Sequence, residues 1–265
     1  MNATQNHQRG FTLLEMIGVM AVMAILAGAL APQVFRMINE GYRAAEAKSL
    51  GSIRDALYAY IQTTQQVPSP TVANWTTAVA QFAALPPDRV RLNERNFQRR
   101  LYADPNFFTT ANTNFTGYTQ TSGLAAPPFS PRLMVVSNLG SNVTPNLNTG
   151  AAFEAVWSQT GTPALVESPD LFIERIHLAS LFNRVLLTNE ASSQVGYRLE
   201  SGPEGAIAAA AGGVDGSRTL YALSGSRLSL TAAPFPGGTT LRQLIVERQL
   251  SLRYDDSSGS YSWEG

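Results

Sequence analysis

Few residues in this sequence have the type and spacing to do chemistry, and the most telling is a carboxylate in an apolar setting. From Phe11 to Phe35 the only charged side chain is Glu15, and Met16 to Phe35 carries no charge at all. A carboxylate at bilayer depth costs about 2.5–3.5 kcal/mol on insertion scales, so such a residue normally needs a partner. Other candidates are sparse. His7 and His177 are the two histidines, and neither has partners that would complete a metal site or a triad. There is no cysteine, which excludes disulfides, thiol catalysis and cysteine-held metal centres. Asp255 and Asp256 sit in a Ser- and Gly-rich stretch and offer oxygens of the kind calcium takes, although an acidic hairpin turn reads the same way. Arg89, Arg91, Arg95, Arg99 and Arg100 form a basic cluster tempered by Asp88 and Glu94. It suits phosphate contacts or a solvated, subunit-pairing surface. No phosphate-binding loop, nucleophile elbow or paired-acid pattern is present, so no cofactor and no metal are expected. The formal net charge of zero gives no reason to expect nucleic acid.

The elements that would position Glu15 are legible. Residues 16–35 form a run long enough to span a bilayer as a helix, the form lipid requires of an unpaired backbone. Three readings compete. A secretory signal peptide would use Ala29-Leu30-Ala31 as its cleavage site, but Pro32 would then follow the cut directly. A plain anchor on an unrelated soluble domain explains the hydrophobicity but not Glu15.

The third reading rests on Arg9-Gly10-Phe11-Thr12-Leu13-Leu14-Glu15-Met16. This string resembles the processing site of the type IV pilin family, which includes the pseudopilins of type II secretion systems. The resemblance covers about the first 60 residues. It implies cleavage between Gly10 and Phe11 by a prepilin peptidase and N-methylation of Phe11. It also implies that Glu15 meets the N-terminal amine of a neighbouring subunit and so fixes axial register. Gly10, with no side chain, lets a protease approach the backbone. Thr12 either helps by hydrogen bonding or is solvated at the helix end. Pro32 stands where family helices often kink. Here the proline removes a backbone hydrogen bond and crowds the preceding turn, which reads as a kink, local melting or a static bend.

Beyond Phe35 the pattern turns amphipathic. Val34, Ile38, Tyr42 and Ala45, then after one longer step Leu50, Ile53, Leu57 and Ile61, predict a single buried stripe. A helix from Phe11 to about Gln62 would measure on the order of 75–80 Å. Val67-Pro68-Ser69-Pro70 ends it. A short helix is predicted over 72–85, with Trp75, Val79 and Phe82 on one face and Pro86-Pro87 as its stop. Leu133 to Val136 reads as a strand core, and Phe153 to Trp157 as another strand. Ser168-Pro169-Asp170 reads as the start of a helix running to Thr188, with Phe172, Ile176, Ala179, Phe182, Val185 and Leu186 inward. Residues 201–218 read as a flexible loop. Leu220 to Leu223 and Leu228 to Leu230 read as strands, Leu241 to Arg248 as helix or strand, and Gln249 to Glu264 as a hairpin.

The expected fold is α+β. A long N-terminal helix, half transmembrane and half amphipathic, packs on a C-terminal globular domain with an antiparallel sheet and one or two extra helices. Residues 1–10 are the expected leader, 11–35 the transmembrane and filament-core helix, 36–66 the amphipathic continuation and 67–265 an extracytoplasmic head. The resemblance implies a structural subunit rather than an enzyme, assembled into a type IV pilus or a type II secretion pseudopilus. Its implied partners are prepilin peptidase, other pilin or pseudopilin subunits, an inner-membrane assembly platform and the lipid bilayer. Its implied location is the bacterial inner membrane, single-pass, then a periplasmic or cell-surface filament. The alternatives are a low-copy minor pilin whose enlarged head forms a tip or binds a ligand, and a membrane-anchored enzyme.

Overall fold

Residues rich in Ala, Leu, Met and Ile, with no strand-favouring cluster and one proline, fold as one long helix, α1 (Leu13–Thr64). The computed structural model describes residues 13–108, 115–158, 170–232, 235–255 and 257–263. The chain divides into two compact units, Met1–Ala45 and Glu46–Gly265. In the first unit α1 is helical through Pro32.

The second unit begins with the last turns of α1. It continues through β1 (Gln66–Val67), α2 (Val72–Ala83), α3 (Pro87–Arg91), β2 (Arg100–Ala103), β3 (Tyr118–Thr119), β4 (Arg132–Asn138) and α4 (Gly150–Trp157). After β5 (Leu171–His177) and a 3-10 turn (Ala179–Leu181) come β6 (Phe182–Asn189), β7 (Val195–Leu199), β8 (Glu204–Ile207) and β9 (Gly216–Leu223). The series closes with β10 (Ser226–Thr231), β11 (Thr240–Val246), β12 (Leu250–Asp255) and β13 (Ser260–Trp263). The class is α+β, as the sequence predicts.

Three apolar cores organise these elements. In the first, Leu50, Ile53, Leu57 and Ile61 of α1 meet Trp75 and Val79 of α2 and one face of the sheet β2-β4-β5 through Leu133, Val135 and Ile176. The opposite face of the same sheet gives Met134, Val136 and Ile173 to a second core with Phe153 and Val156 of α4. Strand β4 is therefore buried on both sides, which explains its unbroken apolar run. The third core lies between two four-stranded sheets, β13-β12-β6-β9 and β11-β10-β7-β8, filled by Val185, Leu187, Leu220, Leu228, Leu230 and Leu252 among others. Strand β12 pairs parallel to β6, so this sheet is mixed rather than purely antiparallel.

Several local expectations fail, for physical reasons. The predicted helix to Thr188 is instead β5, a 3-10 turn and β6. The three- and four-residue apolar spacing there coincides with two short period-two runs, and β4 and β9 provide edges that pair β5 and β6 along their whole lengths. His177 accordingly ends a strand. Ser168 and Pro169, the expected cap, lie outside the described residues. Phe153 to Trp157 is helical, not extended. Thr149 caps α4 by accepting from the Ala152 N–H at 3.2 Å, and five residues of alternation are too few to tell the two periods apart. Pro86-Pro87 ends α2 but also opens α3, with Pro87 in the first turn. The stretch 201–218 is not one loop: it holds β8, which turns back on β7, and the start of β9. A Cβ on Gly205 would fall 2.5 Å from the Tyr197 ring, so the small residues of this segment let a strand lie beneath an aromatic side chain. The ambiguous segment after Thr240 is strand β11, and β12–β13 is the expected hairpin.

Candidate functional site

The most apolar stretch of α1 is covered by none of the described residues. Its 18-residue window reaches a mean hydropathy of 2.3 with none of it buried, and Leu14 and Met20 are 80% and 66% exposed. An apolar surface of this extent requires another apolar phase, either lipid or packed helices. Glu15 lies in the first turn of the described helix and is exposed. Gly10, Phe11 and Thr12 lie outside the described residues. Phe11 precedes Glu15 by four positions in the sequence.

The expected single stripe divides at Ala45. Val34, Ile38 and Tyr42 are exposed, while Leu50, Ile53, Leu57 and Ile61 are buried. The longer step between Ala45 and Leu50 has a cause that sequence reasoning missed. Glu46 takes the empty position of the stripe, four residues before Leu50, and is fully buried. It accepts from Arg99 in a two-pronged pair, Nε to Oε1 and Nη2 to Oε2, each at 2.7 Å. The rest of the guanidinium is also satisfied. Nη1 donates to the carbonyls of Arg89, Val90 and Leu92, and Nη2 to Ser49 Oγ. The interruption in the apolar spacing, filled by an acid, was the available signal. Its partner had none, because Arg99 looked like one of five surface arginines.

The remaining sequence candidates are drawn into the architecture. Arg91 pairs with Asp88 at 2.8 Å, Arg89 approaches Glu94 at 3.9 Å, and Arg95 Nη1 donates to the Leu139 carbonyl. With Arg99 buried, four of the five arginines are tied to groups of this chain. The Arg132 guanidinium donates to buried Asp104 and to Glu154, and lies 4.9 Å from the centre of the Trp157 ring. His177 Nδ1 accepts from the Ala179 N–H at 3.3 Å, its carbonyl accepts from Tyr58, and its ring is tilted against Trp157. Asp255 accepts from the hydroxyl and backbone N–H of Ser257, which hold its carboxyl below the ordinary value, as in an acidic turn. Asp256 lies outside the described residues. Among the described residues no three His, Asp or Glu side chains gather as metal ligands.

Residues 5–31 match the family model described as the prokaryotic N-terminal methylation motif. The match spans Gly10, Phe11, Thr12, Glu15 and most of the apolar run, in agreement with the resemblance to type IV pilins and pseudopilins. The apolar helix beside that motif fits a membrane anchor. No curated protein and no solved structure matches the chain.

Proposed function

We propose that this chain is a pilin-like structural subunit, cut between Gly10 and Phe11 by prepilin peptidase, methylated at Phe11 and assembled with other subunits into a type IV pilus or type II secretion pseudopilus. The observation that carries the proposal is the coincidence of the methylation motif at 5–31 with an 18-residue apolar stretch of α1 that none of the described residues bury. Residues 1–10 are the leader, 11–35 the span that later becomes filament core, 36–66 the continuation and 67–265 the extracytoplasmic head. Cleavage places a cation on Phe11, and Glu15 of an adjacent copy neutralises it. An ion pair in an apolar phase has few competitors, so it fixes the axial offset between copies. Thr12 solvates that pair, and Pro32 is the point at which the helix adjusts as it leaves lipid. The ATP-driven platform that extracts the subunit is a separate machine.

A second reading, a low-copy subunit at a filament tip, draws support from the pair of four-stranded sheets, which enlarge the head beyond one sheet packed on a helix. Position along the filament distinguishes the two readings. The processing claim is tested by the intact mass of the membrane-extracted chain with and without prepilin peptidase. The expected product lacks Met1–Gly10 and carries one added methyl group. A full-length chain in the presence of the enzyme, or one cut after Ala31, refutes the proposal.

A further inference from the structure

The second unit contains a groove whose chemistry the filament role does not use. It has a volume of about 790 Å³, within the range of about 300–1,000 Å³ typical of small-ligand sites. One wall is the solvent face of α2, where Asn74, Thr77 and Gln81 follow at helical spacing and are all exposed. The facing side carries Tyr60 of α1, Gln66 of β1 and Thr119 of β3. Among the described residues no Asp, Glu, Lys, Arg or His lines the groove.

Its walls are held before any ligand arrives. Gln66 and Thr119 are opposite each other in the β1–β3 ladder. The Tyr60 hydroxyl donates to Gln66 Oε1 at 3.1 Å, and the Tyr60 ring meets Phe82 edge-on at 5.7 Å. By contrast, no hydrogen bond engages the Asn74 and Gln81 side-chain amides among the described residues. Each amide offers a donor and an acceptor side by side.

An anionic ligand would find no counter-charge here, and an aliphatic one would strip water from amides and hydroxyls without replacing their hydrogen bonds. A neutral polyol fits both constraints. Its adjacent hydroxyls each give and take a hydrogen bond, matching a side-chain amide, and its C–H faces pack on a phenol ring. We infer that the groove between α2 and the β1–β3 ladder binds a neutral oligosaccharide, oriented by Asn74 and Gln81.

The test uses the full chain in lauryldimethylamine oxide, a detergent without a sugar headgroup. It is titrated calorimetrically with soluble oligomers of glucose, N-acetylglucosamine, mannose and galactose, and with a polyuronate of matching length. At least one neutral oligomer is expected to bind while the polyuronate does not. The double variant Asn74→Ala/Gln81→Ala should weaken that binding about tenfold, the loss of two neutral hydrogen bonds. Its thermal midpoint should not fall, because both positions are exposed and alanine favours helix. The inference is overturned if no neutral oligomer binds at millimolar concentration, if the polyuronate binds equally well, or if the double variant binds as tightly as the parent. Binding is read on the unassembled chain, so failure of the filament proposal leaves this outcome interpretable.

Discussion

At the scale of single residues, the Glu46–Arg99 pair shows what a polar core group does in this protein. Both side chains are out of water, and each nitrogen of the guanidinium has found an acceptor. Removing one partner strands the other charge. Glu46→Ala is therefore expected to cost about 3–5 kcal/mol, whereas the double change Glu46→Leu/Arg99→Met is expected to cost much less. Thermal melts of the two variants in detergent compare them directly. Tyr118 is the opposite case. Its hydroxyl is buried with no hydrogen-bond partner among the described residues, and burial pushes its pKa up to about 12. Because the folded value lies above the ordinary value of 10, the neutral form is the one the fold holds. The stability tied to that form is complete below pH 10 and is lost as pH rises from there toward 12. Tyr118→Phe should leave the melting temperature at neutral pH equal or higher, since it deletes an unsatisfied group. It should also reduce the loss of stability between pH 10 and 12. A drop at neutral pH would show that the hydroxyl has a partner.

At the scale of elements, α1 uses the same amino-acid vocabulary for two surroundings. Leu57 is packed in the first core, while Val34 is half exposed. Leu57→Ala should destabilise the monomer by about 2–5 kcal/mol, the usual cost of a buried cavity. Val34→Ala should leave the monomer melt unchanged and lower the yield of assembled material. Equal effects of both on the monomer would contradict the division of the stripe. The long helix, α2, β4 and the β12–β13 hairpin were legible in the sequence because local pattern and tertiary role agree in them. Strands β5 and β6 were not, because their apolar spacing fits both periods over so short a run, and the deciding facts are distant edges on β4 and β9. Helix α4 was misread from five alternating residues despite its Thr149 cap. Of the candidate site, Glu15 and the motif around Gly10 stood out because charge and glycine are conspicuous beside a lipid-length run. Glu46 did not, because an acid on an amphipathic helix ordinarily faces water and its partner lies 53 positions away. The groove beside α2 was invisible for the same reason, as neutral polar residues carry no motif.

At the scale of the whole molecule, the two units answer different demands. The second buries most of its large apolar side chains in three cores. In the first, the described residues leave the apolar window of α1 unburied, which calls for another apolar phase around it. On our reading that phase is supplied twice, first by the membrane and then by a filament, with Glu15 and the amine of Phe11 setting the register of the second. The direct measurement is electron microscopy of sheared filaments, with the intact mass of the membrane fraction, from cells carrying Glu15→Gln. The account predicts trimmed, methylated subunits that collect in the membrane and form no filaments. Filaments of normal number and length from that variant would contradict it.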